Sequence, residues 1–161
     1  MRMLRQFLAL WVPEQSDALP RVSRDAPANE QLLARWTREG TEPQPPEPAE
    51  RVRQVFRALG FEATPDVLAL YGAIGGMLQP CNALWRLWPL EEVMAQPPSE
   101  HGVEFSDYMW SCWNYRVRPV SDEHSAVYID YYDGKPHVLV AASLDEFLER
   151  YLADADALLD G

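Results

Sequence analysis

The chain has 161 residues, 47% of them hydrophobic and 24% charged, which suits one globular domain and excludes wholesale disorder. Its net charge is −11, and the imbalance is confined to one part: residues 1 to 45 carry six Arg and six acidic side chains, residues 46 to 161 eight basic and nineteen acidic. Such a surface repels phosphate backbones, arguing against nucleic acid as a partner, and complements a basic protein.

The opening MRMLRQFLALW has the apolar look of a secretory leader, but Arg5 and Gln6 interrupt the run. Leu4, Phe7, Leu8 and Trp11 fall at i, i+3, i+4, i+7 and predict an amphipathic helix. No run approaches the roughly 18 apolar residues of a membrane span, so no membrane association is expected. In ANEQLLARWTREG, Asn29 can cap, Leu32, Leu33 and Trp36 share a face, and Gly40 can end a second helix. The linker TEPQPPEP follows, with four prolines that favour an extended, weakly ordered chain. The expected division is therefore a helical extension plus linker over 1–45 and a main domain over 46–161.

Pro48 suits a first helical turn, and Val52, Val55, Phe56 and Leu59 form the next apolar stripe, stopped by Gly60. Thr64 and Pro65 start a further helix with Val67, Leu68 and Tyr71 inward, ending at a turn where Gly75 and Gly76 can take positive φ. Ala83 to Trp88 reads as a short strand broken by Pro89, then a helical turn with Glu91 and Glu92 facing solvent. In FSDYMWSCWNYRV, residues 105–117, Trp113, Tyr115 and Val117 alternate with polar neighbours, the period of a half-buried strand. Asp133-Gly134 between β-rich runs predicts a two-residue hairpin that opposes Asp130 to His137, Ile129 to Val138 and Val127 to Val140. Val127, Ile129, Val138 and Val140 then face the core, and Tyr128, Asp130 and His137 the other side. Ser143 and Glu146 form a capping box ahead of Leu144, Phe147, Leu148, Tyr151 and Leu152, with a frayed acidic tail beyond. Helices, a meander of strands and a closing helix make an α+β fold, an antiparallel sheet packed against N-terminal helices and a C-terminal helix.

The chemistry-bearing residues are few. Cys81 and Cys112 lack metal or redox spacing and read as reduced, buried thiols of a cytosolic protein. Cys112 has no local nucleophile signature, and His101, His124 and His137 stand in no motif with it. Asp130 and His137 suit a surface pair better than an acid and base, although a small hydrolase built on them is the alternative enzyme reading. No metal-ligand spacing or phosphate-binding glycine loop is present, so neither metal nor cofactor is expected.

The ordered segments LGFEATPDVLALYGAIGGM, WRLWPLEEV, VEFSDYMWSCWNYRV, VYIDYYDG and AASLDEFLERYL carry a resemblance. Pro65, Leu70-Tyr71 and Gly75-Gly76, then Trp88-Pro89-Leu90 with Val93, then Phe105, Asp107 and Tyr108, and finally Ser143, Phe147 and Leu148 are similar to the pattern of the SUKH superfamily, over residues 48 to 153. The family's asparagine-glycine turn is replaced here by Ala73 to Gly76. The superfamily takes in fungal cell-wall synthesis regulators and many bacterial immunity proteins. The resemblance thus implies a non-enzymatic binding protein, with a toxin or effector as partner and a regulatory scaffold as the alternative. It supplies no binding residues. On strand parity, loop position and charge, the expected partner-binding set is Glu91, Glu92, Asp107, Trp110, Asp122, Glu123, Tyr128, Asp130 and His137, with Glu91, Glu92, Asp107, Asp122 and Glu123 solvated in connections near strand ends and Trp110, Tyr128, Asp130 and His137 on the non-core face.

Overall fold

The computed structural model describes residues 22–159. The helix expected around Leu4 to Trp11 lies outside them. Among the described residues the order is α1 (Ala28–Arg38), α2 (Ala49–Ala58), α3 (Pro65–Ala73), β1 (Trp85–Leu87), α4 (Leu90–Ala95), β2 (Val103–Tyr108), β3 (Trp113–Pro119), β4 (Ser125–Asp130), β5 (Val138–Ala141), α5 (Leu144–Ala153) and a short 3-10 turn, Ala155–Leu158. The five strands form one antiparallel meander in the order β1-β2-β3-β4-β5. The α+β architecture is as the alternating periodicities predict. No helix among the described residues is long and apolar enough to cross a membrane.

The helices cover one face of the sheet, and aromatic rings fill the space between. Trp85 from β1 lies 5.2 Å from Trp36 of α1, 5.2 Å from Tyr151 and 5.9 Å from Phe147, both of α5. Phe105 and Tyr115 meet the same Phe147 ring at 5.9 and 5.2 Å. Two polar tips inside this cluster are matched, the Trp36 indole N–H donating to the Tyr151 hydroxyl at 3.0 Å, which also meets Cys81 Sγ at 3.0 Å, while the Trp85 indole N–H finds no partner among the described residues. Burial first, and then the Cys81 contact, push the Tyr151 phenol well above its ordinary range.

The core reaches across the position expected to divide the chain. Leu32 and Trp36 of α1 are fully buried in the core that residues 46–161 build. The proline-rich stretch is also docked. Gln44 N–H donates to Gly76 O, Gly75 N–H to Gln44 O, and Glu47 N–H to Tyr71 O, at 2.7 to 3.1 Å, while Pro43 bridges Met77. A Cβ on Gly75 would stand 1.9 Å from Pro45 O, so the approach requires glycine. Of the two glycines, Gly76 takes the positive φ.

Thr64 precedes α3, and the buried Asp66 in its first turn ties three elements together. Its carboxylate accepts from Thr64 Oγ1 at 2.6 Å, Val67 N–H at 2.9 Å, Ser125 N–H at 3.0 Å and Leu144 N–H at 3.3 Å. The capping box of α5 forms, with Ser143 Oγ accepting from Glu146 N–H at 3.1 Å and Glu146 Oε2 accepting from Ala142 N–H at 2.8 Å. The expected frayed tail is anchored as far as residue 159, because Leu158 is buried and Tyr115 and Tyr131 hydroxyls donate to the carbonyls of Leu158 and Leu159.

Two bulges set what the sheet presents on its uncovered face. In β2, Glu104 pairs with Arg116 and Ser106 with Tyr115, leaving Phe105 as the extra residue. Phe105 and Ser106 both take the core side, and the parity beyond them is shifted so that Asp107 reaches the outer face beside Glu104. In β4 and β5, Ile129 opposes Val138 as predicted, but Val127 opposes Ala141, because Val140 is the extra residue there. Val127, Ile129 and Val140 are nonetheless buried, and Val138 packs partly against the core.

Candidate functional site

The outer face is polar, and its first cluster centres on Arg86. Register aligns Arg86, Asp107, Asn114 and Asp130 across four strands. Arg86 donates to Asp107 Oδ2 at 2.8 Å and, in a bidentate pair, to Glu92 of α4 at 3.0 and 2.9 Å. Asp107, with no exposed surface, also accepts from the Trp88 indole at 2.8 Å and Ser111 Oγ at 3.2 Å. Burial works against the Arg86 charge, but the hydrogen bonds to Asp107 and Glu92 win and hold the guanidinium above its ordinary range.

Trp110 lies over that guanidinium, 5.2 Å from ring centre to Cζ, and is 57% exposed. It sits in the turn between β2 and β3, where Met109, Trp110 and Ser111 all have left-handed φ, 48°, 56° and 65°. Three consecutive non-glycine residues there carry backbone strain of about 1–3 kcal/mol each. Leu84, at φ 62°, accepts from Met109 N–H at 2.9 Å through its carbonyl. Leu84, Met109 and Trp110 thus form an exposed apolar tip at one end of the sheet, braced from below by the Arg86 cluster.

The second cluster lies toward β4. Arg116 Nη2 pairs with Glu104 and, at 3.5 Å, with Asp130, whose carboxylate also meets His137 Nε2 at 3.1 Å. Asn114 Nδ2 donates to Glu104 at 3.1 Å. The loop 131–137 folds back over these charges, with the Tyr132 hydroxyl reaching Glu104 at 3.4 Å. Burial, then the nearby Glu104 and Asp130, push the Tyr132 phenol up to about 12. Asp107 Oδ1, Asn114 Oδ1 and Arg116 Nε are buried and find no hydrogen-bond partner among the described residues. A buried polar atom left so costs about 1–3 kcal/mol.

The nine residues expected to bind a partner do not form one patch. Glu92, Asp107 and Trp110 converge on Arg86, and Tyr128, Asp130 and His137 share the outer face farther across the sheet. Glu91 turns away, pairing with Arg51 of α2. Its carboxyl is held below the usual range by its own backbone N–H first and Arg51 second. Asp122 and Glu123 are exposed in the β3–β4 turn, at the opposite end of β3 from Trp110. Asp107 is a correction: it is a buried strand residue and not a solvated loop carboxylate.

Two further expectations change with it. Residues 105–117 are a hairpin with an exposed tip, not a single strand, and Cys112 is exposed in that tip, where a buried thiol was expected. Cys81 is the buried one. The turn eluded the sequence because its left-handed positions hold Met, Trp and Ser instead of Gly, Asn or Asp. Arg86, the hub, was equally unmarked.

Chemically, both clusters orient groups and hold charge. The Asp130 carboxylate is engaged by Arg116, His137 and the Tyr132 N–H, an arrangement that positions the imidazole. No group of three or more His, Cys, Asp or Glu among the described residues could hold a metal ion. Comparison with known proteins finds no family model that matches this chain and no curated protein that matches it.

Proposed function

We propose that this chain is a non-enzymatic cytoplasmic binding protein of the immunity type, neutralising a bacterial polymorphic toxin or effector by direct contact. The observation that carries the reading is the β2–β3 tip. Leu84, Met109 and Trp110 stand exposed on a left-handed backbone, and a buried ion-pair cluster braces them. Exposed Trp on a rigid support is the side chain most often found anchoring a protein interface. A fold that spends backbone strain to expose apolar groups gains nothing from it in isolation.

The net charge of −11 supports a basic partner, steered by long-range attraction before the tip engages. The SUKH resemblance supports the same reading, and its matching residues hold the scaffold: Phe105, Phe147 and Leu148 sit in the core, and Asp107 grips Arg86. The test is co-expression with the product of the adjacent gene. Growth restored by this chain supports the immunity reading. Undiminished toxicity, or an adjacent product with no toxicity to relieve, removes it and leaves the regulatory scaffold.

A further inference from the structure

Beyond that reading, the outer face has a second feature of opposite charge. A cleft of about 250 Å³ is lined by His101, Arg118, Tyr128, Lys135, Pro136 and His137. In a chain with 25 acidic and 14 basic residues, no lining residue is acidic. Every polar side chain lining it offers an N–H or O–H, the donor set that an oxyanion requires.

Local structure places these groups deliberately close. Gly102 has φ +103°, and a Cβ there would stand 2.5 Å from Val117 O, so only glycine lets the chain entering β2 press against β3 and bring His101 beside Arg118. The His101 and His137 rings are 5.0 Å apart, edge to face. Asp130, itself held by Arg116, fixes His137 through Nε2 at 3.1 Å. Lys135 pairs with Asp133 at 2.9 Å, and His101 lies 3.9 Å from Glu100, both acids being outside the lining. Arg118 is held in the β3–β4 ladder opposite Ala126 by its backbone, but its guanidinium makes no ion pair or side-chain hydrogen bond with the described residues, and neither does the Tyr128 hydroxyl. Among the described residues the exposed Arg118 guanidinium thus has no counter-charge, and it shares the cleft with two imidazoles and a phenol.

We propose that this cleft binds a small oxyanion of the phosphate class, with Arg118 as the charge anchor and His101, His137, Lys135 and Tyr128 as further donors. The volume admits one phosphoryl group with its waters and little more. The full chain is titrated with inorganic phosphate at fixed pH and constant ionic strength, following the imidazole resonances by NMR. His101 and His137 should shift saturably, while His124, in the β3–β4 turn and outside the cleft, stays put. Arg118→Gln, at an exposed position, should weaken binding about tenfold or more, as loss of a charge-assisted hydrogen bond implies. Trp110→Ala should bind phosphate like the wild type. A linear, unsaturating shift, equal binding by Arg118→Gln, or acetate binding as tightly as phosphate would overturn the assignment.

Discussion

Replacing Arg86 with Met tests whether the outer-face ion pair braces the exposed tip. The side chain is 8% exposed, so its loss strands the fully buried Asp107 carboxylate. Breaking a buried pair by removing one partner costs about 3–5 kcal/mol. Asp107 keeps the Trp88 indole and Ser111 hydroxyl as donors, and the Glu92 pair is 41% exposed on the acid side and worth under ~1 kcal/mol. The expected loss is therefore near the lower end, about 3 kcal/mol. Arg86→Met with Asp107→Asn should recover about 1–2 kcal/mol of it, because Asn presents an oxygen to the Trp88 N–H without a charge to strand. Urea unfolding followed by tryptophan fluorescence measures both. An Arg86→Met variant within about 1 kcal/mol of wild type, or a double variant no more stable than the single, would refute the reasoning.

Trp36→Ala should cost about 3–5 kcal/mol, and deletion of residues 1 to 45 should abolish cooperative unfolding; a truncated chain with a sharp transition would restore the boundary near residue 45. Gly75→Ala should lower the melting temperature markedly, since Pro45 O occupies the Cβ position, and an unchanged melt would show the docked proline stretch to be dispensable. Of the two cysteines, Cys112 should react with a thiol reagent in the native protein and Cys81 only on unfolding; two fast thiols would contradict the core geometry. The Glu146 carboxylate is held below its ordinary range by the Ala142 N–H first and Arg150 second. Its stabilisation should be complete above the unfolded carboxylate value, about pH 4.3, and be lost as pH falls through the lower folded value. Glu146→Gln should flatten that acid limb in thermal melts taken from pH 6 downward, to roughly pH 3.

The sequence made most of the scaffold legible where local chemistry acts alone. The stripe Val52, Val55, Phe56, Leu59, the Ser143 cap and the opposition of Ile129 to Val138 follow from period and turn signals, although the strands end at Asp130 and Val138 and the tight Asp133-Gly134 hairpin opens into a loop over 131–137. What escaped depends on contacts across the chain. A bulge at Phe105 adds one residue to a strand and leaves no compositional mark, yet it decides that Asp107 faces outward. The proline-rich stretch looked like a linker because proline lacks an N–H, but the residues between the prolines supply the donors that dock it. The exposed tip read as strand interior, since its turn uses none of the residues that ordinarily take positive φ. Of the site, Trp110 and the Asp130 and His137 pair were visible, while Arg86, which holds the first cluster together, was one more arginine.

The central claim, that the Leu84, Met109 and Trp110 tip anchors a basic protein partner, is tested most directly by the kinetics of complex formation with the adjacent gene product. Wild-type chain and Trp110→Ala are compared by biolayer interferometry at two salt concentrations. The expected result is a complex whose association slows with salt and whose dissociation quickens about 30-fold or more in Trp110→Ala, the equivalent of a 2 kcal/mol anchor. Equal dissociation rates for the two chains, or association indifferent to salt, would contradict it.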